Sequence, residues 1–156
     1  MPNWCDNSIM ITASCEAGEK ELKHLKENCS NMVGDKVTEW FSLIKLGVKE
    51  EDMGAKWDAC ESWIDNNSDP NRMLVDYQSP WGPHIEGLIK LSEIYPHLEF
   101  YVEYYEPGCG VLGNATMNNG CADVNDIDIN SREGQIKRHS LGDYNDFLCY
   151  EEQYEL

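Results

Sequence analysis

Alternating apolar and polar residues predict three strands along the chain. SIMITAS, residues 8–14, places its two isoleucines on one side and Met10 and Thr12 on the other, which is the period of two of a half-buried strand. MLVDYQS, residues 73–79, has a strand-like composition and ends at a proline. LEFYVEYYEP, residues 98–107, alternates most regularly. We therefore predict strands in all three segments.

Two other segments have helical spacing. In EAGEKELKHLKENC, Leu22 and Leu25 lie three positions apart while Lys and Glu occupy most other positions, which predicts a surface helix over residues 16–29. In HIEGLIKLSEIY an apolar stripe starts at Ile85. Because proline cannot continue a helix, we expect this second helix to stop at Pro96.

The remaining segments are less regular. Residues 37–46, VTEWFSLIKL, are apolar without a clear period and favour a helix or an irregular packing segment. GAKWDACESWID, residues 54–65, is compatible with a strand, and NNSDPN, residues 66–71, predicts a turn. The glycine-broken residues 108–120 could form one more strand, with turns set by glycine and by Asn-Gly.

The predicted order is strand, helix, strand, strand, helix, strand, which is the split βαβ order of ferredoxin-like folds. We expect an α+β two-layer sandwich with the helices on one face of an antiparallel sheet. The length of 156 residues suits a single domain. We divide it into a core over residues 1–120 and an acidic, Tyr-rich extension over residues 121–156, packed on or beside the core.

The start of the chain, MPNWCDNS, carries a tryptophan close to the first residue. Termini fray unless something holds them, and a tryptophan has a large apolar surface to bury. We therefore expect Trp4 to pack against the edge of the sheet, and Trp4, Trp57 and Phe100 to belong to the core. Nothing near Met1 resembles a signal peptide, so we expect a cytoplasmic protein.

The charge excludes two classes of partner. Twenty-nine acidic residues against twelve basic ones give a net charge of -17, which repels phosphate backbones and anionic membranes. We expect no direct nucleic-acid binding and no membrane contact, and no apolar run approaches the roughly 18 residues of a membrane span. Residues 101–156 carry eleven acids against three bases. This acidic strip favours a basic protein partner.

Cysteines and carboxylates give weak signals for chemistry. The seven cysteines include no CxxC pair, so we expect reduced thiols and neither a zinc site nor another cofactor. DVNDIDIN, residues 123–130, fits no EF-hand register. A solvated turn is the better interpretation there, and a loose calcium site is the alternative. We expect no enzymatic activity, with a small Cys- or Asp-dependent enzyme as an alternative.

Four stretches resemble the YubB ferredoxin-like domain family of phage and plasmid proteins. They are MPNWCDNSIMI, GAKWDA, SPWGPHIEGLIKLSEIYPHLEFYVEYYEPG and VLGNATMNNG, in that order over residues 1 to about 120. The resemblance implies a ferredoxin-like core and a mobile-element origin, and it implies no catalytic residues. VKEEDM precedes GAKWDA where the family would have an Asn- and Trp-containing stretch. Residues 121–156 lie outside the resemblance.

The resemblance and the charge together lead to the expected function. We expect a phage or mobile-element inhibitor of a bacterial defence system, an anti-CRISPR-type protein that covers the nucleic-acid-binding surface of a Cas effector in the infected host's cytoplasm. A monomer or weak dimer is expected. The expected contacts are acidic residues and interleaved tyrosines: Glu103, Glu106, Asp123, Asp126, Asp128, Asp143, Tyr144, Asp146, Tyr150, Glu151, Glu152, Tyr154 and Glu155.

Two further tyrosines, Tyr104 and Tyr105, have the same acidic neighbours and could serve as interface anchors. Tyrosines packed beneath a solvated acidic face are the equally weighted alternative. A host-binding or regulatory module unrelated to defence, using the sheet face or an edge strand, is the alternative function. The salt dependence of partner binding distinguishes the two functions, because electrostatic contacts weaken as ionic strength rises.

Overall fold

The computed structural model describes residues 3–65 and 69–141, which form an α+β arrangement. Its strands are β1 (Trp4–Ala13), β2 (Ser30–Val33), β3 (Lys36–Glu39), β4 (Cys60–Asp65), β5 (Arg72–Pro80), β6 (Leu98–Glu106), β7 (Val111–Asn118) and β8 (Cys121–Asp126). Its helices are α1 (Glu16–Asn28), α2 (Ile85–Ile94) and α3 (Arg132–Ser140), with a short 3-10 helix at Glu50–Asp52.

Six strands form one antiparallel sheet in the order β4-β5-β1-β6-β7-β8. The strand β1 is central and pairs with β5 on one side and with β6 on the other. The part β4-β5-β1-β6, together with α1 and α2, has the split βαβ order. The expected ferredoxin-like fold is therefore confirmed. The strands β2 and β3 form a separate hairpin after α1.

The three strands predicted from alternation are present, and β1 is longer than expected because it begins at Trp4. In the added part, Cys5 and Asn7 occupy buried positions. Asn7 donates to Ser79 Oγ at 2.8 Å and to the carbonyl of Cys5 at 3.1 Å. These bonds offset the cost of burying an amide, so a polar residue fits the buried side of the strand.

Both predicted helices are also confirmed. In α1, Leu22 and Leu25 are fully buried while the Lys and Glu side chains face water. Cys15 begins this helix, its sulfur accepting a hydrogen bond from the amide of Gly18 at 3.4 Å. In α2, Leu88 and Leu91 are fully buried. These leucines join Ile9, Ile11, Phe100 and Val102 in the main core between sheet and helices.

The third helix, α3, lies in the segment predicted as an extension packed on or beside the core. Lys137 of α3 forms an ion pair with Glu103, at 3.1 Å. Glu103 lies on the opposite side of β6 from the buried Val102, so α3 lies over part of the face opposite α1 and α2 and leaves the rest exposed. Beneath the start of α3, Tyr105, Leu112 and Ile127 form a second, smaller apolar cluster.

Two irregular segments agree with their predictions only in part. Residues 37–39 belong to β3, whereas residues 40–46 form an irregular segment that buries Phe41, Leu43 and Leu46, as the second of the two alternatives expected. In the 54–65 segment only Cys60–Asp65 is strand. The preceding residues bend because Asp58 accepts hydrogen bonds from the Leu43 amide at 2.8 Å and the Ala59 amide at 2.7 Å.

The DVNDIDIN segment is not a solvated turn throughout, because its first half is the edge strand β8. A two-residue turn, Asn119 and Gly120, joins β7 to β8 with φ values of 46° and 80°. Positive φ at both positions is typical of the tight hairpin turn that Asn-Gly favours. The boundary placed after residue 120 thus falls inside a hairpin, and β8 completes the sheet.

The expected core aromatics divide into two groups. Phe100 is fully buried, whereas Trp57 is 41% exposed and therefore is not a core residue. Trp4 is only partly buried. It lies in the central strand opposite Pro80, so the expected position at the sheet edge is wrong.

Candidate functional site

The sheet face opposite α1 and α2, which we call the open face, is acidic. Successive side chains of a strand point to opposite faces, so the partners of the buried residues point here. Five of the six described strands of this sheet place a carboxylate on it, and β7 does not. These residues are Asp65, Asp76, Asp6, Glu99, Glu103 and Asp123. Arg72 is the one basic residue that these strands add to the face.

Strand register brings distant carboxylates together near the middle of the open face. Ser8 of β1 lies opposite Asp76 of β5 on one side and opposite Glu103 of β6 on the other. Neighbouring strands are about 4.8 Å apart, so the backbones of the two acidic residues are about 10 Å apart. The small serine between them leaves a depression.

This depression is part of a cleft of about 390 Å³, which we call the acidic cleft. Carboxylates of Asp6, Glu61, Asp76 and Glu103 line it, and Lys137 is its one lysine or arginine among the described residues. Lys137 is already paired with Glu103, and Tyr101 donates a further 3.0 Å hydrogen bond to that carboxylate. The cleft therefore holds an excess of negative charge.

A bulge in β4 brings Glu61 to the acidic cleft. The pairing of β4 with β5 shifts register between Cys60 and Trp63, and Glu61 has a φ of 48° in the left-handed region. Bulges re-aim side chains. Trp63, 59% exposed, forms an aromatic wall beside this carboxylate.

The structure places some of the sequence-predicted contact residues on the open face and others in hydrogen bonds within the fold. Glu103 and Asp123 lie on the open face, as described above. Asp126 accepts a 2.7 Å hydrogen bond from the hydroxyl of Tyr104, and Asp128 accepts one from the amide of Asn130 at 2.9 Å. The structure thus uses the last two carboxylates within the fold.

Glu106 does not belong on an exposed contact surface, because it is only 1% exposed. Its carboxylate accepts hydrogen bonds from the amides of Gly108 at 2.6 Å and Cys109 at 2.5 Å. It fixes the turn between β6 and β7. Buried polar groups are normally hydrogen-bonded. The two turn amides supply these bonds, so the carboxylate of Glu106 can be buried.

The two candidate anchor tyrosines are buried as well. Tyr104 is packed in the main core and Tyr105 in the smaller cluster, which matches the alternative of tyrosines packed beneath an acidic face. The other predicted contacts lie outside the described residues: Asp143, Tyr144, Asp146, Tyr150, Glu151, Glu152, Tyr154 and Glu155.

A row of tryptophans lies at the end of the sheet where β1 begins. The rings of Trp4 and Trp57 have centroids 6.3 Å apart, and those of Trp57 and Trp81 are stacked at 6.1 Å. The ammonium of Lys56 lies 5.0 Å from the Trp57 ring centre. Trp57 and Trp81 are each more than 40% exposed, so this row presents apolar surface to solvent.

The buried side chain of His84 contacts the backbone of the tryptophan row. The Nε2 of His84 lies 2.6 Å from the carbonyl oxygen of Trp57. A carbonyl only accepts, so this nitrogen carries the proton and the ring's other nitrogen faces the hydroxyl of Tyr77 at 3.4 Å. Burial lowers the pKa of His84, which keeps the ring neutral near pH 7.

Sequence patterns could have located only part of this site. Asp6 and Asp76 lie on the polar side of their alternating strands, so alternation places them on the exposed face. The bulge that brings Glu61 to the cleft has no such signal. Neither does the register that puts Asp76 and Glu103 on either side of Ser8.

The described residues lack two features, a cluster of metal-binding side chains and a membrane-spanning helix. Residues 3–65 and 69–141 contain no group of three or more His, Cys, Asp and Glu side chains placed to hold a metal ion. Within the same ranges, none of the helices combines the length and apolar character needed to cross a bilayer.

Comparison with known proteins gives the fold and the family. The structure is similar to the crystal structure of a protein api92 from Yersinia pseudotuberculosis, with a TM-score of 0.55 and 12% identity, over 81% of this chain and 98% of that one. No curated protein matches the chain. The family model described as the ferredoxin-like domain in Api92-like protein matches residues 56–145, which is more than half of the sequence. The chain therefore belongs to the family of ferredoxin-like domains of Api92-like proteins.

Proposed function

We propose that this protein is a non-enzymatic binding module whose acidic open face contacts the basic, nucleic-acid-binding surface of another protein. The observation that carries the proposal is the placement of carboxylates from five strands on one face of the sheet. Carboxylates on a rigid surface imitate the phosphates of a nucleic acid, and their field steers a basic partner toward them. The acidic residues 143–155 are a second proposed contact.

The more specific form of the proposal is an anti-CRISPR protein of a phage or plasmid that covers the nucleic-acid channel of a Cas effector in the host cytoplasm. Two features support it: the resemblance to the YubB family and the net charge of -17. A Cas effector holds its nucleic acids in a positively charged channel. An acidic surface of this kind is complementary to that channel.

The test is competition between this protein and target DNA for a purified, guide-loaded Cas effector. We expect the protein to reduce DNA binding, and the triple variant Asp6→Asn, Asp76→Asn, Glu103→Gln to lose most of that effect. The matched control is Glu19→Gln, Glu50→Gln, Glu51→Gln, which removes the same charge from exposed positions in α1 and in the 3-10 helix. Circular dichroism confirms that both variants fold.

Two results would reject the proposal. Unchanged DNA binding at equimolar protein would reject the CRISPR form. Capture of basic proteins from a bacterial lysate that is equal for the two triple variants would reject the open face as the contact. A variant that neutralises the acids of 143–155 tests the tail separately.

The tryptophan row favours a second candidate, a host-binding module unrelated to defence. Exposed tryptophans are frequent anchors of protein interfaces, and here the exposed Trp57 and Trp81 lie in one row with the partly buried Trp4. Binding through this row would persist at high salt, whereas binding through the open face would weaken steeply. Trp57→Ser combined with Trp81→Ser would then abolish binding, and the acidic triple variant would retain it.

A further inference from the structure

The acidic cleft combines a cavity, unbalanced charge and an aromatic wall. Its volume of about 390 Å³ is within the range of small-ligand sites. Ser8 lines it between Asp76 and Glu103. A cavity of this volume has room for the end of a long side chain.

The described residues supply too little positive charge to neutralise the carboxylates of the cleft. Glu103 has Lys137 and Tyr101 as partners, and Asp6 accepts a 3.1 Å hydrogen bond from the amide group of Gln78. Within residues 3–65 and 69–141, Asp76 and Glu61 have neither an ion pair nor a side-chain hydrogen bond. Like charges that share one cavity repel each other, so a cation bound there would relieve that repulsion.

The aromatic wall favours one kind of cation. Trp63 lies in β4 directly opposite Asp76 of β5, so its ring stands beside that carboxylate. A guanidinium is planar, stacks on an indole ring and bonds carboxylates with two parallel N–H groups. It also loses less hydration than a lysine ammonium does. Ring and carboxylates together therefore match arginine better than lysine.

We propose that the acidic cleft binds the guanidinium of an arginine side chain presented by the basic partner, with Trp63 stacking on it and Asp76 and Glu61 accepting its hydrogen bonds. This inference rests on the proposed function, because it names the group of the partner that the open face recognises. Lys137 then acts as an internal competitor, since it supplies positive charge to the same cleft.

The probe for the test is N-acetyl-arginine methylamide, titrated into isotopically labelled protein and followed by NMR. The neutral citrulline analogue has the same shape and serves as the ligand control. We expect the arginine probe to shift the indole resonance of Trp63 and the backbone resonances of Ser8 and Asp76, and the citrulline probe to shift none of them.

Two substitutions should change binding of the arginine probe in opposite directions. Asp76→Asn removes an acceptor and should weaken binding up to about fivefold, the upper range for an exposed ion pair. Lys137→Met removes the competing cation and should tighten binding about two- to fivefold. Asp35→Asn, in the exposed β2–β3 turn, is the charge-matched control and should change nothing.

The outcomes separate this inference from the proposed function. Shifts that are equal for arginine and citrulline, or Lys137→Met weakening the binding, would overturn the arginine site. If the acidic triple variant loses its partner while the arginine probe fails to bind, the function stands and the cleft assignment falls. If the probe binds at Trp63 but no basic protein is captured through the open face, the cleft stands and the proposed function falls.

Discussion

The hydroxyl of Tyr104 donates a 2.7 Å hydrogen bond to the carboxylate of Asp126, across the intervening strand β7. Gly113 of β7 lies under this contact, and a Cβ at that position would stand 2.6 Å from the hydroxyl. The glycine therefore lets a core tyrosine reach the edge strand β8. Since every side chain of β8 is exposed, this bond is a tie between the core and that strand.

Tyr104→Phe should lower the free energy of unfolding by about 1 kcal/mol, the usual net value of one hydrogen bond. Asp126 is exposed, so a larger loss is not expected. Chemical denaturation of Tyr104→Phe, Asp126→Asn and the double variant measures the coupling of the pair. Additive losses would show that the two groups do not interact. Amide exchange should rise in β8 more than in β1.

The position of Asp126 in β8 shows which strands the alternation of apolar and polar residues can predict. The strands β1, β5 and β6 bury every second side chain, so their pattern is visible in the sequence. All six residues of β8 are exposed, so its sequence shows no alternation of buried apolar and exposed polar residues. Its acidic residues are instead typical of a turn. Besides the bond from Tyr104, backbone pairing with β7 holds β8 in place, and neither contact is visible as a pattern of apolar and polar residues.

The candidate site was predicted less completely than the fold for a related reason. Total charge indicated an acidic contact, and alternation indicated which acids of a strand face outward. The acidic cleft, however, depends on the register of Ser8 with Asp76 and Glu103 and on the bulge at Glu61. These are tertiary features between segments distant in sequence.

The buried His84 should make stability depend on pH. Burial lowers its pKa below the ordinary 6.5, so in the folded protein it stays neutral where the unfolded chain is protonated. The unfolded state then binds more protons, and stability falls as the pH decreases below about 6.5. The slope is at most about 1.4 kcal/mol per pH unit until the folded-state pKa is reached.

Urea unfolding between pH 5 and pH 8 measures this dependence, and His84→Gln provides the comparison. We expect the variant to be less stable at pH 8, because it changes the hydrogen bond to the carbonyl of Trp57. Its loss of stability relative to the native protein should shrink as the pH falls from 7 toward 5. A difference that stays constant over this range would show that His84 titrates normally in the folded state.

The cysteines should differ sharply in reactivity. Burial raises the pKa of Cys5 and of Cys29 to about 12, and thiolate is the form that reacts. Cys15, Cys109 and Cys121 are exposed. We expect iodoacetamide at pH 8 to modify these three in the native protein, and Cys5 and Cys29 only in denaturant. Peptide mass spectrometry identifies the sites, and native labelling of Cys5 at the rate of Cys15 would contradict the prediction.

Asp58 connects two features, the irregular segment after β3 and the tryptophan row. Its carboxylate accepts hydrogen bonds from the hydroxyl of Ser42 at 2.5 Å and from the amides of Leu43 and Ala59. Asp58→Ala leaves those groups without their acceptor, which costs about 1–3 kcal/mol for each group that stays buried. We expect a total loss of about 2–4 kcal/mol of stability.

The same change should disturb Trp57, the residue directly before Asp58. Trp57 stacks on Trp81, and we expect this stacking to depend on the backbone that the Asp58 carboxylate holds, so the near-ultraviolet circular dichroism of the tryptophans should weaken. Asp52→Ala, in the 3-10 helix, removes the same charge and should leave that spectrum unchanged. Loss of stability with an unaltered spectrum would show that the tryptophan row is held by its own stacking and by His84, rather than by Asp58.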